Sequence, residues 1–204
     1  MVLKKGREAA LNLALVFCVL AATVAGLRAQ GPVKAEVLSA RTINMSVGSG
    51  QELKIDVFRW STDDQRNALL SALNDKADSA LTDAIEKAPS LGTIWTNENL
   101  GYTIRYAYRD VLPNGVERVI IVTDRRLGSW SGQVWKAVNQ STAVNYPFSL
   151  IELHLNRNGT GEGKMSLTTK VAADAGGKTL VVAGYDAAPV LLRNVKRESG
   201  SPSS

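Results

Sequence analysis

A single cysteine, Cys18, and a single histidine, His154, limit the chemistry open to this chain of 204 residues. So few thiol and imidazole groups cannot assemble the ligand set of a zinc or iron-sulfur centre. No run of acidic residues matches a calcium-binding loop, and no Gly-x-Ser-x-Gly elbow offers a serine nucleophile. No metal and no cofactor are therefore expected. Long apolar runs are also scarce, and the one present lies at the start.

That run, Leu13 to Leu27, follows the basic residues Lys4, Lys5 and Arg7 and ends in Leu27-Arg28-Ala29, the layout of a secretory signal. Cleavage after Ala29 is the preferred reading. An uncleaved N-terminal anchor is the alternative, because the run approaches the length of a membrane span. Removal of residues 1–29 takes Cys18 with it. The remaining chain then has no thiol, no disulfide and no span, and must be held by its core alone. Four of the 24 basic residues (Lys4, Lys5, Arg7, Arg28) and one of the 19 acidic residues (Glu8) also leave, so the net charge falls from +5 to +2. A near-neutral body gives no electrostatic reason to expect nucleic acid or an anionic membrane as partner. The expected location is periplasmic or extracellular.

What the chain does have is alternation. Apolar and polar residues exchange places along most of residues 30–198, the period of a half-buried strand. The reading is a mainly β (α+β) fold: one antiparallel domain of about eight strands in successive hairpins, closed as a barrel or stacked as two layers, with two short helices after the second strand. Residues 199–204 read as a disordered tail. The run from Ala35 pairs with residues 51–59 across Gly48-Ser49-Gly50. In residues 61–90, Thr62 and Gln65 form a capping box, and two apolar stripes, broken at Asn74-Asp75, give the helices.

Pro113-Asn114-Gly115 fits a three-residue hairpin loop. Its register sets Tyr108 opposite Ile120, Tyr106 opposite Val122 and Asp110 opposite Arg118, with Ile104 and Tyr102 sharing the face of Tyr106. The helices are expected over the reverse face, which carries Arg105 and Arg109. Four further strands are expected over 147–156, 162–172, 178–185 and 189–196.

Between strands 147–156 and 162–172 stands "NRNGTGEGKMS", which has the glycines of a phosphate loop without its spacing. Asn158 occupies the position of the first Walker glycine and Met165 that of the magnesium-binding hydroxyl, and a strand follows where a helix is required. Register favours a hairpin loop of three or five residues, with Leu153 opposite Met165 and Ile151 opposite Leu167. His154 then shares the polar face with Glu152, Lys164 and Ser166. A hydrolase with His154 as base and Ser166 as nucleophile is one reading of that cluster; a solvated sheet face is the other.

Residues 127–146 have no clear period and hide either a short helix near 134–138 or a functional loop. Trp130 and Trp135 lie there, just after Arg125 and Arg126. Aromatic rings beside paired cations suit a ligand or an envelope protein; the competing reading makes both indoles lids on the core. Three functions are carried forward. The first is a non-enzymatic exported protein that binds a small apolar molecule within the sheet or a partner at Trp130, Trp135, Arg125 and Arg126. The second is the His154/Glu152/Ser166 hydrolase, and the third a structural component of the envelope.

Overall fold

A computed structural model describes residues 35–46, 48, 50–75, 79–98, 100–138, 146–166, 171–182 and 189–198. Residues 1–29, the tail 199–204 and the second half of the 127–146 segment beyond Val138 and before Tyr146 lie outside them. Among the described residues stand ten strands and two helices: β1 (Glu36–Thr42), β2 (Glu52–Val57), α1 (Asp63–Leu73), α2 (Ala80–Lys87), β3 (Gly92–Trp95), β4 (Tyr102–Val111), β5 (Glu117–Thr123), β6 (Leu150–Leu155), β7 (Thr160–Ser166), β8 (Val171–Ala173), β9 (Leu180–Val182) and β10 (Val190–Arg197). Eight strands close a barrel in the order β1-β10-β7-β6-β5-β4-β3-β2, every pair antiparallel. β8 and β9 form a separate hairpin between β7 and β10.

Alternation decides what fills the barrel. Leu38, Leu53, Ile55, Ile94, Ile104, Val119, Ile121, Ile151, Leu153, Met165 and Val195 belong to one buried cluster, nearly all with no exposed surface. An eight-stranded barrel has an interior just wide enough for its own side chains. The outward positions of β1, β2 and β10 carry Arg41, Glu52, Lys54, Arg193 and Lys196, all exposed.

A second apolar layer lies outside the barrel. Tyr106, Ile120, Val122 and Leu150 on the outer wall pack with Leu69 of α1, Leu81 and Ile85 of α2, Val171 of β8 and Leu180 of β9. The capping box forms as expected, with the Thr62 side chain accepting from Gln65 N and the Gln65 side chain from Thr62 N. Arg118, directly opposite Asp110, donates to both oxygens of that carboxylate and to Asp174 beside β8. Burial opposes the charge on Arg118, but the two carboxylates outweigh it and raise its pKa.

The β4-β5 hairpin closes in the register its turn predicts: Tyr108 with Ile120, Tyr106 with Val122, Asp110 with Arg118. Two expectations need correction. A bulge between Ile104 and Tyr106 switches the chain's faces, so Ile104 and Tyr102 point into the barrel while Tyr106 and Tyr108 point out. The helices accordingly cover the tyrosine face, and the face with Val119 and Ile121 is the barrel interior. β3 was not anticipated, because four residues between Pro89-Ser90 and Asn97 are too few to show a period. Of the strand expected over 178–185, the described residues hold β9, which stands outside the barrel, while 183–185 lie outside the described residues; β10 pairs with β7 and β1.

The glycine-rich stretch forms the expected hairpin loop with a left-handed glycine, but its register needs correction. Its loop has three residues, 157–159, with Asn156 N bonded to Thr160 O and Gly159 in the left-handed region at φ 75°. Leu153 therefore faces Gly163, and Ile151 faces Met165, two residues from the expected register but on the same faces. Gly161 and Gly163 belong to β7 itself. Without side chains they leave the interior to Leu153 and Leu155.

At one end of the barrel Arg197 bonds Glu36 at 2.7 Å and Glu117 at 2.8 Å. Arg109 reaches Glu36 at 3.3 Å and lies 4.8 Å from the centre of the Trp60 ring. Burial opposes the charge on Arg197, but its two carboxylate partners raise its pKa. Four alternating charges thus close this end, at the level of the 112–116 and 156–160 turns.

Candidate functional site

The opposite end is closed by the irregular segment after β5. Leu127 N donates to the Ser149 hydroxyl, Trp135 N to Leu127 O, and Ser46 N to Lys136 O, while Met45 and Ala137 form an isolated bridge. The segment is a lid stitched to β1 and β6 at several points. Among its described residues it contains no helix. Gly128 makes its tight fold workable: at φ 82°, a Cβ there would lie 2.1 Å from Gln133 O and 2.4 Å from the Trp135 ring.

The two tryptophans of the segment part company. Trp135 is buried against the barrel core, 5% exposed, whereas Trp130 is 42% exposed. Trp130 leans on Tyr102, with ring centres 6.1 Å apart, and carries the Arg125 guanidinium 4.2 Å above its own ring. Arg125 stays 44% exposed and also reaches Asp124. Arg126 turns inward and donates Nε to Tyr146 O; burial holds its pKa below the ordinary value. Of the four candidates, Trp130 and Arg125 form one surface, while Trp135 belongs to the core and Arg126 is bonded to Tyr146.

A carboxylate fixes this arrangement. Glu98, on the β3-β4 connection, accepts from the Tyr102 hydroxyl, from Ser131 N at 3.0 Å and from Thr96. Gly128 N donates to the same Tyr102 hydroxyl at 2.9 Å. Burial pushes Glu98 up, but the bonds from Ser131, Tyr102 and Thr96 outweigh it and hold the carboxyl below its usual range. Burial and Glu98 push the Tyr102 hydroxyl up to about 12. The connection that Glu98 anchors brings two further apolar side chains to the rim, Trp95 at 43% and Leu100 at 50% exposure. Trp95 lies against Gly101 and donates Nε1 to Asp56 at 3.1 Å. Trp95 and Trp130 thus rest against consecutive residues, Gly101 and Tyr102. A shallow concavity of about 190 Å³ opens beside them, lined by Glu98, Ser131, Gln133 and Trp135.

His154 and its neighbours take up the polar outer wall of β6 and β7. His154 Nε2 lies 2.9 Å from Glu152, and Lys164 lies 3.4 Å from the other oxygen of that carboxylate. Burial raises Glu152, but His154 and Lys164 outweigh it and hold it below the ordinary carboxylate range. Ser166 is paired with Leu150, four residues along β6 from His154. At the rise of a strand that is about 13 Å, with Glu152 between them. The imidazole and this hydroxyl do not meet as base and nucleophile. Among the described residues, no group of three or more His, Cys, Asp or Glu side chains could hold a metal ion, and no helix is long and apolar enough to cross a membrane.

No family model, no curated protein and no solved structure matches the chain. The reading of the lid end therefore rests on its geometry. Sequence reasoning missed Trp95, Glu98 and Leu100. Trp95 was findable from its parity, since it and Thr93 flank the inward Ile94; Glu98 gave no signal of its tie to the lid, because that bond goes to an amide thirty-three residues away.

Glu98, Glu152 and Asp174 all titrate below their ordinary values. The unfolded chain takes up these protons first as pH falls, so the stability they contribute is full above about pH 5 and is lost as pH drops through the folded values. The urea midpoint is expected to be lower at about pH 3 than at neutrality. Glu152→Gln should shrink that difference; an unchanged difference would remove Glu152 from the explanation.

Proposed function

We propose that this is an exported, non-enzymatic protein that docks a protein partner of the cell envelope through its lid end, with Trp130 and Arg125 as anchors and Trp95 and Leu100 beside them. One observation carries the reading: Trp130 is 42% exposed although its lid is pinned through Ser131, Gly128 and Trp135. Tryptophan and arginine are the residue types that dominate binding energy at protein interfaces. An aromatic ring already held in place gives up little conformational freedom on docking. A surface tryptophan with no partner needs no such scaffold.

The filled barrel favours this reading over a small apolar ligand within the sheet. Leu38, Ile55, Ile104, Val119, Ile151, Leu153 and Val195 occupy the volume that such a ligand would take. The separation of Ser166 from His154 likewise speaks against a hydrolase.

The experiment is photo-crosslinking in envelope preparations, with a photoreactive amino acid placed at Trp130 and, separately, at Glu86 on the exposed side of α2. One discrete adduct from position 130, absent from position 86 and lost on Arg125→Ala, is expected. Identical adduct patterns from both positions would end the proposal.

A further inference from the structure

At the charge-closed end, opposite the lid, the outer wall holds a concavity of about 520 Å³ between the 112–116 turn, β6, β7 and β10. Its polar lining comes from Asn114, His154, Asn156, Glu162, Asn194 and Lys196, and Val116 supplies an apolar contribution. Two of these side chains have duties inside the protein: Asn114 Oδ1 accepts from Val116 N, and His154 Nε2 is held by Glu152. Among the described residues, the side chains of Asn156, Glu162, Asn194 and Lys196 have no hydrogen-bond or ion-pair partner.

Asn194 is singular in its backbone. At φ 53° it is the one non-glycine residue in the left-handed region among those described. β10 runs one residue ahead of both neighbours there: it goes from Leu192 to Val195 while β7 moves from Gly163 to Gly161, and from Arg193 to Lys196 while β1 moves from Arg41 to Ser39. This is a bulge with an extra residue in β10, a device that re-aims a side chain. Glycine would occupy the conformation at no steric cost. An asparagine whose amide bonds nothing among the described residues stands there instead, at the wall of a concavity.

The chemistry of the lining narrows the ligand. Carboxamides donate and accept at once, as hydroxyl groups do, so three of them with an imidazole match a ligand rich in hydroxyls. Glu162 and Lys196 carry opposite charges, which favours no net charge on the ligand. Val116, half-buried, suits the C–H face of a sugar ring, and the volume is that of a small-molecule site. We infer that this concavity is a saccharide-binding site, in which Asn156 and Asn194 bond ring hydroxyls and the β10 bulge exists to present Asn194.

The test is backbone amide NMR of the nitrogen-labelled protein, titrated with maltotriose, with N-acetylglucosamine trimer and with glycine as a zwitterion. A saturable shift of the Asn156, Glu162 and Asn194 signals with either saccharide is expected, and none with glycine. Asn194→Gly should weaken that binding about tenfold, the loss of roughly one good hydrogen bond, with no fall in unfolding midpoint, since glycine suits the backbone. Asn156→Ala should weaken it comparably. Shifts with glycine alone, no saturable shift with either saccharide, or unaltered binding by both variants would overturn the assignment. A partner docked at Trp130 could be confirmed or refuted without affecting this result.

Discussion

Gly161→Ala is expected to lower the thermal midpoint by roughly 6–12 °C, the shift that about 3 kcal/mol produces in a domain of this size. The cause lies in barrel closure. Gly161 stands opposite Leu155 and next to Val195 of β10, on the inward side of β7. A Cβ there would come within 1.8 Å of His154 O and 2.8 Å of its carbonyl carbon. Those are backbone atoms held in the β6-β7 ladder, so no rotamer change relieves the overlap and the two strands must part. Gly132→Ala is the control. Gly132, unlike Gly161, has a positive φ, 71°, and nothing lies within 4 Å of its added Cβ. Its cost should stay near the 1–2 kcal/mol of the left-handed conformation alone. Differential scanning calorimetry on the two variants separates overlap from conformation, and equal losses would contradict the packing described for β7.

Trp135→Ala should cost about 3–5 kcal/mol, the range for deleting a large buried aromatic ring. The indole is 5% exposed and belongs to the barrel cluster with Met45, Leu127 and Ala137. Without it the lid loses its only large buried aromatic, and the bonds from Trp135 N to Leu127 and from Ser46 to Lys136 lose the packing that shelters them. Trp130→Ala removes a ring of the same size five positions earlier, yet its expected cost is only about 1 kcal/mol, because that ring stays 42% exposed and its loss leaves no closed cavity. Urea unfolding followed by far-ultraviolet circular dichroism distinguishes the pair. Similar losses for both variants would mean that Trp130 is part of the core and would remove the basis of the docking surface.

Strand period and turn chemistry carried most of the fold into view. The Pro113-Asn114-Gly115 turn fixed a register in which three pairs agree with the structure, because a hairpin loop leaves no freedom two residues on. The faces were harder to assign. One bulged residue near Arg105 exchanges inside for outside, and nothing in the local pattern marks it, since Tyr102, Ile104, Tyr106 and Tyr108 alternate with their neighbours without a break. Closure was also beyond local reading, because it depends on β10 finding β7 and β1 across an inserted hairpin. At Gly161 and Gly163 the register was set by absence of side chains, whereas alternation counts only the side chains that are present.

The candidate site divided along the same line. Trp130, Trp135, Arg125 and Arg126 stand together in the sequence, but burial separates them in pairs, and burial follows from the lid's contacts with Met45, Ser149 and Tyr146. Glu98 and Tyr102, which fix the lid, are contributed by the neighbouring connection and strand. No period reveals a bond between a turn carboxylate and an amide thirty-three residues later.

Fluorine NMR of the protein labelled with fluorotryptophan tests the lid most directly. Its four tryptophan signals can be assigned by replacing each residue in turn with phenylalanine. A soluble paramagnetic gadolinium chelate should broaden the Trp130 and Trp95 signals and leave Trp135 sharp. A Trp135 signal broadened as strongly as that of Trp130, or a Trp130 signal protected in the isolated protein, would contradict a lid that buries one indole and presents the other.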